Sequence, residues 1–263
     1  MGPLGELTAA AGLRVRGLAG RAADLEGAAA AAPEPPSFAG AVRASATVAV
    51  IAELKRRSPS KGSINESLDI PARATEYAAA GASAISVLTE PERFGGSLDD
   101  LRAARRAVRV PLLRKDFIVD RLQLLEARAS GASAVLLIAR ALPPERRAEL
   151  AADARSLGLD VLLEVRSEAE LEQALLVDWA VIGVNNRNLE TLVIDDSVSE
   201  RLLRLVPRQR TAVYESGVKV RADVERAAML GADAVLVGSA LSAARDGTSA
   251  AAALTGVARR PRD

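Results

Sequence analysis

Glu53 and Lys55 stand two residues apart where an apolar run stops, Ile51-Ala-Glu53-Leu-Lys55, and the chain then reads Arg-Arg-Ser58-Pro-Ser60-Lys61-Gly62. Strand side chains alternate, so these two charges share a face and Ala52 and Leu54 share the other. Opposite charges on the inward face of a buried strand are costly unless they are paired or put to use. The same punctuation recurs along the chain. Apolar runs end at Arg114-Lys115-Asp116-Phe117, at Glu164, at Asn185-Asn-Arg187-Asn188-Leu189, at Glu215-Ser216-Gly217 and at Gly238-Ser239. Lysines and glutamates in such positions suit proton transfer. A lysine near other cations, or in a dry pocket, gives up its proton more readily, which suits an acid near neutral pH. A glutamate buried at a strand end has its pKa raised, which suits a base. The Ser216-Gly217 and Gly238-Ser239 pairs suit an anion, because glycine lets backbone N–H groups approach it closely. Singly, each residue has a plainer reading. Glu53 and Lys55 make an ion pair, Lys115 or Glu164 marks a strand meeting water, Gly217 and Gly238 make turns, Arg187 is a solvated loop charge, and Asn185 satisfies backbone groups. The chemical reading requires that all these strand ends meet at one place.

The elements that would bring them together are legible from residue 46 onward. β-branched or aliphatic runs start near Val48, Ala84, Val110, Ala134, Val161, Val181, Thr211 and Ala234. Their spacing of about 20 to 36 residues is that of a strand plus a crossover helix. The segments between them predict helices over Ile70–Ala80, Leu98–Val108, Arg121–Ser130, Pro144–Leu157, Glu168–Val177, Asp196–Leu205 and Ala222–Leu230. Gly81, Gly131, Gly158 and Gly231 sit where a left-handed cap ends a helix before the next strand. The runs carry few polar interruptions, which marks a parallel sheet buried on both faces. Eight such units predict an α/β fold, a (β/α)8 TIM barrel whose site lies at the C-terminal ends of its strands. The alternative is an open doubly wound sheet, which would usually carry a Gly-rich fingerprint after its first strand; no G-x-G-x-x-G occurs here. Residues 1–45 differ in being rich in Ala and Gly and in carrying the cluster Pro33-Glu-Pro-Pro36. They predict an N-terminal helical extension of one or two helices and a Pro-rich linker, with residues 46–263 as the barrel; a disordered arm is the alternative. The loop Arg56–Asn65 reads as a mobile lid.

Composition removes other chemistries. The 263 residues contain no His and no Cys. That excludes His-based triads, His- or Cys-ligated metals, thiol nucleophiles and disulfides, and leaves Lys, Glu, Asp and Tyr to move protons. Lys plus Arg number 35 against 34 Asp plus Glu, and there are only 3 Phe, 2 Tyr and 1 Trp, so neither a basic footprint nor a stacking platform for nucleic acid is expected. The N-terminal stretch, interrupted by Glu6, Arg14 and Arg16, does not read as a signal peptide, and no apolar run approaches the roughly 18 residues that span a bilayer. A cytoplasmic protein without a membrane partner is expected.

The motifs resemble those of the indole-3-glycerol-phosphate synthase family. They are IAELKRRSPSKG over 51–62, SVLTEPERFGGSLDDL over 86–101, LRKDFIVD over 113–120, LEV over 163–165, IGVNNRNLETL over 182–192, ESG over 215–217 and AVLVGSAL over 234–241. The resemblance implies a (β/α)8 carboxy-lyase of tryptophan biosynthesis that closes the ring of 1-(2-carboxyphenylamino)-1-deoxyribulose 5-phosphate, releasing carbon dioxide and water. It implies no metal and no organic cofactor. By the same resemblance Lys115 is the general acid and Glu164 the general base, with Glu53 and Lys55 beside the reacting centre. Ser58, Asn185, Arg187, Glu215 and Ser216 are implied to orient substrate, and Phe94, Phe117 and Leu189 to hold the anthranilate ring. Lys55, Gly217, Gly238 and Ser239 are implied at the phosphate. Expected partners are the phosphorylated small-molecule substrate and other tryptophan-pathway enzymes. The chain departs from the family pattern at Tyr214, where a small residue is usual, and at Asn188, where Asp is usual. Tyr214 lies on the opposite face from Glu215 and is expected to pack toward the helices. The N-terminal segment, which in the family helps cover the mouth, lacks the Lys-x-x-Glu helix pattern. Two other readings compete. Phosphoribosylanthranilate isomerase relies on a Cys and Asp pair, and this chain has no Cys. A degenerate paralogue serving as a scaffold is favoured by the atypical N-terminus and opposed by the retained Lys115 and Glu164.

Overall fold

A computed structural model describes residues 2–262. Eight parallel strands close on themselves: β1 (Ala49–Leu54), β2 (Ala84–Leu88), β3 (Leu112–Lys115), β4 (Ala134–Ile138), β5 (Asp160–Val165), β6 (Val181–Asn185), β7 (Ala212–Glu215) and β8 (Ala234–Val237). Each pairs with its sequence neighbours, and β8 returns to β1 through Ala49↔Ala234 to Ala52↔Val237. The expected barrel is therefore the observed one. The predicted left-handed caps also form, at Gly81 (φ 89°), Gly131 (φ 83°), Gly158 (φ 70°) and Gly231 (φ 81°). Among the described residues no helix is long and apolar enough to cross a membrane.

Twelve α-helices run through the described residues. α1 (Pro3–Arg16), α2 (Ala22–Ala31) and α3 (Phe38–Ala44) precede the barrel. α4 (Ile70–Ala79), α5 (Leu98–Ala107), α6 (Arg121–Ala129), α7 (Pro144–Ser156), α8 (Glu168–Leu175), α9 (Ser197–Leu202) and α10 (Arg221–Met229) follow successive strands, and α11 (Ser239–Ala243) and α12 (Gly247–Ala252) follow β8. Their starts follow from local chemistry. Asp69, Ser97 and Ser167 each accept a backbone N–H of the first turn, and Asp120 with Gln123 forms a capping box. The helix expected over 196–205 shortens to Ser197–Leu202, with a 3₁₀ turn over Leu203–Leu205.

Alternation along the strands splits the core in two. Outward residues such as Val50, Ala52, Leu54, Val135 and Leu163 pack under the helices. Tyr214 joins that outer layer, as expected, and its hydroxyl donates to Asp196 at 3.0 Å. Inward residues such as Ile51, Leu113, Leu136, Leu162 and Leu236 fill the barrel. Phe38 and Val42 of α3, both fully buried, join this inner set. α3 occupies residues read from the sequence as linker. Ser37 Oγ and the Ala39 amide both donate to Asp160 at the start of β5, at 3.0 and 2.9 Å, so α3 caps the N-terminal end of the cylinder.

The opposite end is covered by α1. Its Leu4, Leu7 and Ala11 are buried in the inner set with Phe117 and Ile138. Arg14 donates to Asp116 at 2.9 Å and stands 3.7 Å from Glu90. The loop expected to be a mobile lid carries a two-stranded hairpin pairing Arg57 with Ser63 and Ser58 with Gly62.

Candidate active site

Above the inner apolar layers the next inward positions are charged, because the strands end there. Lys55 Nζ lies 2.6 Å from Glu53 Oε1, Lys115 Nζ lies 3.8 Å from Glu53 Oε2, and the same nitrogen donates to Glu215 Oε2 at 3.0 Å. Two ammonium groups and two carboxylates thus alternate across the barrel mouth, from the end of β1 through β3 to β7. All four side chains line one cavity of about 390 Å³, together with Glu164, Asn185 and Arg187. Phe94 and Phe117 form an apolar wall with ring centroids 6.5 Å apart and planes tilted by 38°, and Leu189 lines the same side. Ser216, Gly217, Gly238 and Ser239 line it from the ends of β7 and β8. Ser58 is the exception. It borders a smaller adjoining cavity of about 70 Å³ under α1, shared with Lys55, Arg187, Leu189 and Ser239.

The electrostatics correct one expectation. Burial alone would push the Lys115 pKa down, but the carboxylates of Glu215, Glu53 and Glu164 outweigh burial and hold it above the ordinary lysine value. Lys115 is therefore a fully protonated donor rather than an ammonium poised to dissociate. Lys55, another cation lining the cavity, is itself engaged by Glu53. Burial raises the Glu53 carboxyl, and Lys55 and Lys115 more than reverse this, holding it below the usual carboxylate range. Glu164 behaves as a buried strand-end glutamate should. Burial first, then the charge of Glu215, push it up to about 7 against the opposing pull of Lys115.

Local geometry fixes each group. Glu215 occupies space left open by Gly183, an inward position of β6 that carries no side chain. A Cβ on Gly183 would collide with Glu215 Oε1. Gly183→Ala is expected to displace Glu215 from Lys115 and lower kcat by roughly 10- to 100-fold, the usual penalty for misplacing a site by about an ångström; steady-state turnover checks this, and an unchanged rate contradicts it. Gly238 is similarly tight, its missing Cβ facing the Glu53 carboxylate and the Lys55 ammonium. Ser216 has φ 66° and Gly217 φ 98°, so β7 ends in a left-handed turn that suits glycine at the second position. The turn is held by Ser216 Oγ donating to Asn185 Oδ1 at 2.9 Å and by Asn186 Nδ2 donating to the Ser216 carbonyl at 3.2 Å. Asn185 Oδ1 also accepts the Arg187 amide at 2.9 Å. Asn188 accepts the amides of Glu190 and Thr191, bonds that an Asp would make equally well, so the departure from the family pattern leaves this loop's geometry intact.

Sequence reasoning missed several supporting residues. Asp116, beside Lys115, accepts from Arg14, Thr89, Arg114 and the Phe117 amide, which locks the segment following β3. Glu90 accepts the amides of Glu92, Arg93 and Phe94 and so sets the Phe94 loop. Leu136 and Ile138, inward residues of β4, complete the apolar wall, and Lys61 and Lys219 line the rim. Strand alternation is the signal that could have found Leu136 and Ile138, and Lys219 lies two residues after Gly217; the Arg14 and Thr89 partners of Asp116 lie too far off in sequence to be paired by inspection, whereas Glu90 caps amides within the next four residues.

The model of the indole-3-glycerol phosphate synthase family matches residues 9–254. A protein of Kineococcus radiotolerans named indole-3-glycerol phosphate synthase is 51% identical over 214 residues, covering 81% of this chain and 78% of its own. One of that name from Nocardioides is 53% identical over 208 residues, covering 79% and 80%. One from Streptomyces griseus is 47% identical over 238 residues, covering 90% and 88%. Among solved structures, 3-hexulose-6-phosphate synthase from Salmonella typhimurium superposes with a TM-score of 0.62 at 16% identity, covering 79% of this chain and 96% of that one. Thiamine phosphate pyrophosphorylase from Pyrococcus furiosus gives 0.59 at 18%, covering 79% and 93%. These two speak to the barrel alone.

Proposed function

Because the chain belongs to the indole-3-glycerol phosphate synthase family, we propose that the barrel mouth runs that family's reaction with the residues assembled there. The reaction closes the pyrrole ring of 1-(2-carboxyphenylamino)-1-deoxyribulose 5-phosphate, with loss of carbon dioxide and water, and yields indole-3-glycerol phosphate, a carboxy-lyase step of tryptophan biosynthesis. The observation that carries the assignment of roles is Lys115, 3.0 Å from Glu215 and 3.8 Å from Glu53, in one cavity with Glu164.

The chemistry asks for an acid first. The ring carbon bearing the carboxylate attacks the ketone, and the carbonyl oxygen must receive a proton. Lys115 supplies it, since three carboxylates keep it charged until substrate arrives. Loss of carbon dioxide then restores the aromatic ring. Next a proton must leave so that the new hydroxyl departs as water. Glu164, held near 7, takes that proton at neutral pH and releases it between turnovers. Lys55, paired to Glu53 at 2.6 Å, stands beside the same centre and protonates the departing hydroxyl or binds substrate oxygens. Glu215 Oε1 is buried without a protein partner, which leaves it to accept from a substrate hydroxyl. Asn185, Arg187 and Ser216 orient the substrate, with Ser58 closing the lip, while Phe94, Phe117 and Leu189 hold the aromatic ring. The phosphate sits at Gly217, Gly238 and Ser239, with Lys55 in reach of it. The substrate is thus a phosphorylated small molecule, and the reading places the protein in the cytoplasm.

Purified protein incubated with the carboxyphenylamino-deoxyribulose phosphate is expected to generate indole fluorescence. Substrate that binds without turning over would favour the scaffold reading instead.

A further inference from the structure

We propose that Ser242 is a positioning residue for the Glu53–Lys55 pair, its hydroxyl replacing the sheet bonds that β8 stops supplying at the end of β1. The inference rests on the reading of Glu53 and Lys55 as groups beside the reacting centre. The ladder between β1 and β8 ends at Ala52↔Val237, because the chain turns away at Gly238 into α11. On the other side β1 stays paired to β2 through Glu53↔Ser86 and Leu54↔Val87. On the β8 side, however, the Glu53 carbonyl and the Lys55 amide are the next ladder groups in line. Left alone and buried, they would be unpaired. Ser242 lies on α11 and is fully buried. Its Oγ donates to the Glu53 carbonyl at 2.9 Å and accepts from the Lys55 amide at 3.2 Å. A hydroxyl gives one bond and takes one, so a single serine matches one orphan acceptor and one orphan donor.

The consequence lies in the side chains. With both backbone groups fixed, the strand geometry persists past its last paired residue, and Glu53 and Lys55 keep the shared inward face that brings their charges to 2.6 Å. α11 is itself anchored, because Arg73 on α4 donates to the Leu241 carbonyl at 3.0 Å and the Ser242 amide donates to the Gly238 carbonyl at 2.9 Å. Gly238, whose bare α-carbon faces the same pair, belongs to this clamp. An aliphatic residue at 242 would keep the helix and lose both bonds to β1.

Ser242→Ala is expected to lower kcat by roughly tenfold, the worth of one or two lost buried hydrogen bonds, while KM stays within about twofold. Ser242→Thr, which keeps the hydroxyl, is expected to restore most of the rate, and Ser242→Cys, which keeps the size but bonds weakly, is expected to stay slow. Lys55→Met is assayed beside them, with thermal midpoints for all. Should Ser242→Ala fail to fold, the Thr and Cys pair carries the same comparison. A wild-type kcat in Ser242→Ala or Ser242→Cys, with Lys55→Met slow, overturns the inference alone. A lowered midpoint with no rescue by Thr assigns Ser242 a purely structural role and also overturns it. Full activity in Lys55→Met removes the reading beneath it.

Discussion

Lys115→Met is expected to lower kcat by roughly 10²- to 10⁴-fold, the usual worth of one positioned proton donor. The expectation follows from where the ammonium sits. Lys115 is mostly buried, bonded to Glu215 at 3.0 Å and 3.8 Å from Glu53. Methionine fills a similar volume and removes the charge and its N–H donors. The loss has two parts. The carbonyl oxygen no longer receives its proton, and the carboxylates of Glu53, Glu164 and Glu215 lose the cation that separates them. Lys115 is what pulls the Glu164 pKa down against burial and Glu215, so without it Glu164 rises further and is more often protonated at neutral pH. The residual activity of Lys115→Met should therefore require a higher pH than the wild type. Lys115→Arg should not rescue, since the larger planar guanidinium cannot place a donor where the compact ammonium sits between Glu215 and Glu53. Turnover followed by indole fluorescence measures both effects, and a fully active Lys115→Met would remove Lys115 from the reaction.

The barrel was legible because its signals are local. Apolar runs such as Val135–Ile138 and helix-ending glycines such as Gly131 each speak through a few neighbours. The charged rim was legible too, since Glu53, Lys115, Glu164 and Glu215 each stop an apolar run. What could not be read is whatever depends on residues meeting across the cylinder. The sign of the Lys115 shift is such a case: its neighbours Glu53, Glu164 and Glu215 come from three other strands, and their sum reverses the expectation drawn from burial and a nearby cation. α3 is another. Its seven residues follow a proline cluster and carry one cap, Ser37, and its helix is stabilised by burying Phe38 and Val42 in the barrel floor rather than by propensity. Ser58, implied at the substrate by motif, borders the small cavity beneath α1 that shares Lys55, Arg187 and Ser239 with the main one. Tyr214 was placed correctly because alternation alone decides its face.

Glu164→Gln is the second large effect. The amide keeps the shape of the carboxylate and cannot take a proton, so kcat should fall by roughly 10²- to 10⁴-fold with the fold intact. The pH dependence carries the sharper information. A base works in its deprotonated form, and Glu164 is pushed up to about 7 by burial and by Glu215. In the wild type kcat/KM should therefore rise with pH through about 7 and level off above it, falling close to tenfold for each further unit on the acid side. An unperturbed glutamate would place that limb near 4.3, where the protein would be judged against acid unfolding instead.

The most direct test is thus kcat/KM against pH between about 5 and 9, wild type beside Glu164→Gln, with substrate well below KM. A wild-type limb centred near 7 that vanishes in the glutamine variant is the predicted result. A limb that persists unchanged in Glu164→Gln, or a wild-type profile flat down to pH 5, would contradict a mouth in which buried carboxylates and ammonium groups carry the protons.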